Sequence, residues 1–371
     1  MSTHELYTLP AEHETWDVPT SGYSRFSWEY DDGRDRLLNL YQKGKDKQWD
    51  AVKRIDWGLD VDPDDVLGLP QETSPLFGSE VWDKMTEKER TRFGHHQVAW
   101  QFSNFLHGEQ GAMICSARIV ESVPDLDAKF YAATQTMDEA RHAEVYSKFL
   151  KEKVGLFYPI NSELKSLLDT TLSDSRWDMP YLGMQVLIEG LALAAFGVIR
   201  DMTTMPLPRQ ILAYVMQDEA RHVAFGRLAL RDFYKELSQA ERDEREDFIV
   251  EGCYLMRDRL RGQEVFEHLG LPVKRCMELT DNSEYYQIFR NLLFTRIVPC
   301  VKDIGLWGPK VQKAYADMGV LDYAAANVED LMKADEDIAE TIDREKRFKA
   351  EEAARAADVT AMIDAATAEG T

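Results

Sequence analysis

The pentapeptide Asp138-Glu139-Ala140-Arg141-His142 recurs unchanged as Asp218-Glu219-Ala220-Arg221-His222, an offset of 222 − 142 = 80 residues. Each copy has a lone glutamate 30 residues before its own: Glu109 (139 − 109) and Glu189 (219 − 189). Four carboxylates and two imidazoles therefore stand in a duplicated pattern. On an α-helix, residues three apart lie about 60° apart around the axis and about one turn apart along it. Glu139 with His142, and Glu219 with His222, can each direct one oxygen and one nitrogen at a common point. Glu109 and Glu189 would come from two further helices. That is the ligand set of two metal ions bridged by carboxylates inside a four-helix bundle. Imidazole with several carboxylates suits iron, or else manganese, better than the thiolate-rich sites taken by zinc or copper(I). A single Glu-x-x-His is common by chance, but two identical pentapeptides at equal spacing from two glutamates are not.

Glu189 is the most telling of these residues. Its neighbours Val186, Leu187, Ile188, Leu191, Ala192 and Leu193 are apolar, so nearly any helical projection buries it. A buried carboxylate without a partner is costly, and a pair of metal ions removes that cost. A buried salt bridge or a protonated glutamate is the alternative. Around the six ligands, Asp138 and Asp218 can accept a hydrogen bond from the non-ligating nitrogen of a histidine across the bundle. Arg141 and Arg221 can hold those aspartates or the bridging carboxylates; exposed helix charges are the alternative for all four. His4, His13, His95, His96, His107 and His268 have no partner at ligand spacing.

The elements that must position the ligands read as helices. Thr86 and Glu89 form a capping-box pattern, opening a helix that passes Glu109 and ends near Glu121, with a break near His95 or Gly108 as an option. A second helix carries the first pentapeptide from about Asp125 to Val154 and stops at Gly155. The third, from Tyr181 to about Met202, is apolar except for Gln185 and Glu189, so it is a buried helix. The fourth runs from Arg209 to about Leu237. Outside them, Leu37–Asp56, 240–262, 284–301 and 328–369 also read as helical, and residues 60–75 as a loop. No strand and no Gly-rich phosphate loop is evident. The expected fold class is all-α, a four-helix bundle with additional terminal helices. The expected organisation is an arm and helix over residues 1–88, the bundle over 89–237, and C-terminal helices with an acidic tail over 238–371.

The net charge of −22 and pI near 4.8 argue against nucleic acid as a partner, which needs a basic footprint. They argue equally against docking on anionic lipid. The most apolar stretch, Met184–Ile199, reads as too short for a bilayer. The four cysteines are scattered with no CxxC pair, and the first 20 residues lack the apolar core of a signal peptide. A cytoplasmic location is the expectation.

Across about residues 89–237, on Glu109, Glu139, His142, Glu189, Glu219 and His222, the sequence resembles the ferritin-like diiron-carboxylate superfamily. That superfamily holds bacterial monooxygenases, arylamine N-oxygenases and ribonucleotide reductase small subunits. The resemblance implies two iron ions that activate O2 as a co-substrate, an external electron donor such as a reductase or ferredoxin, a small organic or acyl substrate, and a homodimer. The implied reaction is hydroxylation, epoxidation or N-oxygenation. Three positions depart from close relatives. N-oxygenases resembling this chain carry a further histidine where Val215 stands, and multicomponent monooxygenases a threonine where Leu193 stands. Tyr146 occupies the place of the radical-forming tyrosine of reductase small subunits, which keeps a radical-generating subunit as an alternative. Those subunits usually begin their ligand set with Asp rather than Glu109, and residues 324–371 lack their tail tyrosine. The plain reading of Tyr146 is a core residue hydrogen-bonded near the site. A ferroxidase is the other alternative, although the long extensions suit a substrate pocket better. Residues one or two turns from the ligands should line that pocket: Phe105, Met113, Gln135, Gln185, Leu193, Phe196 and Val215. Their character favours a substrate with an apolar or aromatic portion.

Overall fold

Leu37 to Asp56 folds as two pieces rather than the single helix expected. Helix α1 covers Asp35–Asp46, and a separate turn covers Ala51–Arg54. Between them Asp50 is extended, and its carboxylate caps the second piece by accepting from the Val52 and Lys53 amides. The computed structural model describes residues 3–8, 17–20, 22–28, 30 and 33–368. His13, and part of the arm expected within residues 1–88, lie outside them.

The capping box at Thr86 forms: Glu89 N donates to Thr86 Oγ1 at 3.3 Å, and Thr86 N donates to Glu89 Oε2 at 2.8 Å. Helix α2 then runs unbroken over Glu87–Ser122. Neither His95 nor Gly108 interrupts it, because one face of the helix stays buried from Phe93 through Glu109 to Ile119. Helix α3, Leu126–Phe149, carries the first pentapeptide; a widened π-type turn follows, and Gly155 ends it at φ 72°. Helix α4 is Ser162–Ser173, capped by Asn161.

Helix α5 spans Asp178–Met202 and opens with a π-type stretch, Tyr181–Ile188, that ends immediately before Glu189. At 25 residues it is long and apolar enough to cross a membrane by length and composition, which corrects the shorter span read from the sequence. Here 83% of its most apolar window is buried inside the protein. Helix α6, Pro206–Phe233, carries the second pentapeptide and starts with proline in its first turn. Helix α2 packs along α3 and α5 along α6, and α1 lies against both α3 and α6. Helix α7, Gln239–Asp258, packs on α4 and α5, and the region expected as one helix over 284–301 is two, Glu284–Leu292 and Ile297–Asp303. Helix α8, Val328–Ala368, lies along α6. Among the described residues the nearest thing to a strand is one isolated bridge between Tyr7 and Phe157. The fold is all-α.

Within the second hairpin, α5 and α6 meet closely enough to fix one residue type. A Cβ on Gly226 of α6 would lie 2.5 Å from Gln185 Cβ on α5. Alanine has the better helix propensity by about 1 kcal/mol, but overpacking a rigid contact costs about 1–3 kcal/mol. Gly226→Ala should therefore melt lower than wild type; a higher melting temperature would show that propensity wins.

Candidate metal centre

Glu109 on α2, Glu139 and His142 on α3, Glu189 on α5, and Glu219 and His222 on α6 converge at the bundle centre, and all are buried. Their ligand atoms form two sets, each with members within 4.8 Å of one another: Glu109, Glu139, His142 and Glu219, and Glu139, Glu189, Glu219 and His222. Glu139 and Glu219 belong to both sets, so they sit where bridging carboxylates would; Glu109 and Glu189 each belong to one. His142 Nδ1 lies 3.0 Å from Glu219 Oε1 and 3.3 Å from oxygens of Glu109 and Glu139. His222 Nδ1 lies 3.0 Å from Glu139 Oε1 and 3.5 Å from Glu219 Oε2.

The donor set fits a metal pair on evidence of its own. Glu139 Oε2, Glu189 Oε2, Glu219 Oε2 and His222 Nδ1 are buried with no hydrogen-bond partner among the described residues. His222 Nδ1 is close to Glu139 Oε1, yet the geometry is not that of a hydrogen bond. Buried polar atoms are almost always satisfied. Four orphaned lone-pair donors facing one another are explained by cations between them. With imidazole and carboxylate as the only ligand types, iron or manganese is the suited metal.

Without metal, the charges are balanced by protons. Burial, and then the negative charge of Glu219, pushes Glu109 well above the usual carboxylate range. Burial, followed by Glu139 and Glu219, does the same to Glu189. Burial also acts on Glu139, but the imidazoles of His222 and His142 outweigh it and hold that carboxyl well below the usual range. Burial alone would push both histidines down. Hydrogen bonds to Asp218, Glu109, Glu139 and Glu219 instead raise His142, and Glu139 and its neighbours raise His222.

A crossed set of contacts orients the imidazoles. His142 Nε2 lies 3.1 Å from Asp218 Oδ2, and His222 Nε2 lies 3.3 Å from Asp138 Oδ2, so each pentapeptide's aspartate holds the other's histidine. Arg141 Nη2 donates to Asp218 Oδ2 at 2.8 Å and also to Asp138; Arg221 donates to Asp218. These four residues are buried, so their exposed-charge alternative does not apply. Two further residues complete the ring. Gln48 Nε2 donates to Asp138 Oδ1 at 2.7 Å, and Trp49 Nε1 donates to Asp218 Oδ2 at 2.8 Å. Sequence reasoning missed both in this role, since neither has ligand spacing. An outer partner of this kind sets histidine orientation and basicity, so Asp218→Asn should weaken metal binding about 10–100-fold, read by competition with a chelator.

The expected pocket residues divide. Phe105 and Phe196 line a cavity of about 20 Å³ beside Glu109, Glu189 and Glu219, and their rings meet at 4.7 Å. Gln135 Nε2 donates to Glu139 Oε1 at 3.0 Å and to Glu189 Oε1 at 2.9 Å, and the Gln185 amide lies 3.3 Å from Gln135 Oε1. Gln135 holds ligands rather than lining space, and Gln185 abuts Gln135 without touching a ligand. Leu193 and Val215 are buried but do not reach the cavity. Met113 is only half-buried and lies away from it: the inward face of α2 takes Glu109, Ala112 and Ser116, and turns outward at Ile114. Tyr146 packs against Phe102, Phe105 and Phe196 at 5.8–6.0 Å, and its hydroxyl has no hydrogen-bond partner among the described residues, contrary to the expectation. Met184, Ile188 and Arg259 also line the cavity. Nothing in the sequence pattern singled them out.

Comparison with known proteins follows the same lines. The family model for p-aminobenzoate N-oxygenase AurF matches residues 31–305. That span holds every residue of the cluster. Among solved structures, an R2-like ligand-binding oxidase with an aerobically reconstituted Mn/Fe cofactor is 16% identical, with a TM-score of 0.46, over 76% of this chain and 95% of that one. A point variant of that oxidase is 17% identical, with a TM-score of 0.48, over 73% of this chain and 94% of that one. No curated protein matches the sequence.

Proposed function

We propose that this chain, which belongs to the AurF p-aminobenzoate N-oxygenase family, is a monooxygenase that inserts one oxygen atom of O2 into a small organic substrate. As a member of that family it is an O2-dependent oxidoreductase with a dinuclear metal site. In the proposed reaction one oxygen atom enters the substrate and the other leaves as water, with two electrons and two protons supplied from outside; a reductase or ferredoxin is the donor. Glu109, Glu139, His142, Glu189, Glu219 and His222 hold two iron ions, which supply redox chemistry and activate O2. Gln135 fixes Glu139 and Glu189, the crossed aspartates fix the two imidazoles, and the aromatic wall of Phe105, Phe196 and Tyr146 excludes water.

The observation that carries this reading is the set of orphaned ligand atoms beside a cavity walled by aromatic rings. Val215 stands where related N-oxygenases carry a third histidine, so nitrogen need not be the atom oxidised. The test is anaerobic reduction of iron-loaded protein followed by mixing with O2. A transient visible absorption and incorporation of labelled oxygen into an organic product support the reading; simple mineralisation of the iron overturns it. Tyr146, at the place of the radical-forming tyrosine of reductase small subunits and packed on Phe105 and Phe196, carries one second reading, a radical-generating subunit. That reading requires a tyrosyl signal in electron paramagnetic resonance that Tyr146→Phe removes.

A further inference from the structure

Trp49, which donates to Asp218, stands in no helix. It lies in the link between α1 and the Ala51–Arg54 turn. No helical ladder fixes the backbone there, so its side-chain contacts must hold it. Two guanidiniums approach its ring, that of Arg141 at 4.8 Å and that of Arg54 at 5.5 Å from the ring centre. The Tyr214 ring lies 5.9 Å away. Arg141 belongs to the crossed contacts around the imidazoles. Arg54 does not, and it ties the link to a more distant part of the chain.

Arg54 Nη2 donates to Gln217 Oε1 at 2.9 Å and to Asp343 Oδ2 at 2.8 Å. Its guanidinium also covers the Tyr214 ring at 4.0 Å. The Tyr214 hydroxyl donates to Asp343 Oδ1 at 2.7 Å. Both oxygens of Asp343 are thus engaged by groups that frame Trp49. Tyr214 and Gln217 stand four residues and one residue before Asp218 on α6. The same carboxylate therefore reaches the helical turn that leads into the aspartate. Lys346, three residues on from Asp343, donates to the carbonyl of Arg54.

Asp343 comes from α8, which carries no ligand. That helix is seated by Ala339 and Ile342, both buried, and by Asp335, whose Oδ2 lies 2.8 Å from Arg296 Nη2. Lys43 with Glu336 and Lys47 with Glu340 add ion pairs at 3.3 and 2.8 Å, but exposed pairs contribute little. The pair at Asp343 differs from these. Arg54 is 17% exposed, and Asp343 is its one ion-pair partner among the described residues.

We propose that Asp343 is a positioning residue for the metal centre: through Arg54 and Tyr214 it sets the place of Trp49, and with it the contact of Asp218 with His142. Trp49 Nε1 and His142 Nε2 meet the same oxygen, Asp218 Oδ2, at 2.8 and 3.1 Å. The other nitrogen of His142 faces Glu109, Glu139 and Glu219. A metal-bound imidazole takes its orientation and basicity from its outer partner. A helix without ligands thereby governs how tightly metal is held. The inference rests on the metal centre and not on the reaction proposed above.

The experiment is iron(II) binding by the full chain without O2, read by competition with a chelator and by near-infrared circular dichroism of the bound ions. Asp343→Ala should bind iron about three- to tenfold more weakly, less than the 10–100-fold that follows loss of an outer partner itself. Its dichroism bands should move as those of Trp49→Phe do, and Asp343→Glu should restore part of the affinity. A double-mutant cycle gives the sharpest comparison. In a Trp49→Phe background, Asp343→Ala should weaken iron binding no further. Wild-type affinity with unmoved bands in Asp343→Ala overturns the inference, even if that variant melts lower, because α8 then only stabilises the fold. Full additivity with Trp49→Phe overturns it as well, since Asp343 then acts by another route. If Asp343→Ala does not fold, Asp343→Asn keeps the shape and the tyrosine contact, and the same two criteria apply to it. No readout here involves O2, so failure of the O2 reaction removes the oxygenase reading and leaves this inference standing.

Discussion

Glu189→Ala should fold and bind one metal ion or none per chain, where the intact bundle binds about two. Glu189 Oε1 is held by Gln135 Nε2 at 2.9 Å, while Oε2 has no partner. The side chain is 3% exposed within an apolar helix, and burial with Glu139 and Glu219 nearby pushes its carboxyl well above the ordinary range. Among the described residues of the metal-free protein, that single hydrogen bond is the only one that offsets the burial. If Glu189 were one half of a structural salt bridge, its removal would strand a buried partner and destabilise the fold by about 3–5 kcal/mol. If it is a metal ligand, metal-free Glu189→Ala should melt no lower than metal-free wild type, although metal content after desalting collapses and O2-dependent turnover goes with it. Elemental analysis and calorimetry on the same samples separate the two. Retention of both ions would refute the assignment, and a large loss of metal-free stability would favour the salt bridge.

The part of this site that was legible in the sequence is the part built on helical periodicity. Glu139 and His142 converge because residues three apart on a helix must do so, and Glu189 betrays itself by being the charge in an apolar run. The 80-residue repeat carries the symmetry, so the crossed pairing of Asp138 with His222 and of Asp218 with His142 follows once two hairpins face each other. Gln48 and Trp49 were not legible in that role. They reach the aspartates from the link after α1, and their place depends on the break at Asp50 that splits the expected helix. Arg259 was hidden for the same reason: its location is decided by how α7 packs across the bundle, not by any spacing to a ligand. Met113 failed in the opposite sense. Its spacing from Glu109 was right, but the edge of the buried face falls between Ala112 and Ile114, and periodicity alone does not locate that edge.

Removing the metals should lower the melting temperature, and the gap should widen as pH rises. In the metal-free protein Glu109 and Glu189 are raised above the ordinary carboxyl value of 4.5, and His142 and His222 above the ordinary imidazole value of 6.5. A group whose folded value lies above its unfolded value gives its full stabilisation below the unfolded value and loses it as pH climbs through the folded one. The two glutamates therefore weaken the metal-free fold as pH rises from about 4.5 upward, and the two histidines from about 6.5 upward. Glu139 and Asp218 are lowered instead, so their contribution is present at neutral pH and lost only in acid, as pH falls below the ordinary carboxyl range. Metal binding runs the other way. Each ion must displace protons from Glu109, Glu189 and the imidazoles, so its affinity grows as those protons become easier to remove. At a thousandfold excess over Kd, two ions add about 8 kcal/mol, or about 10 °C for a chain of this length. Anaerobic calorimetry of metal-free and iron(II)-loaded protein between about pH 5.5 and 8 reads the difference directly. A gap that stays constant or narrows over that range would mean that the buried protons and the metals do not compete for the same oxygens and nitrogens.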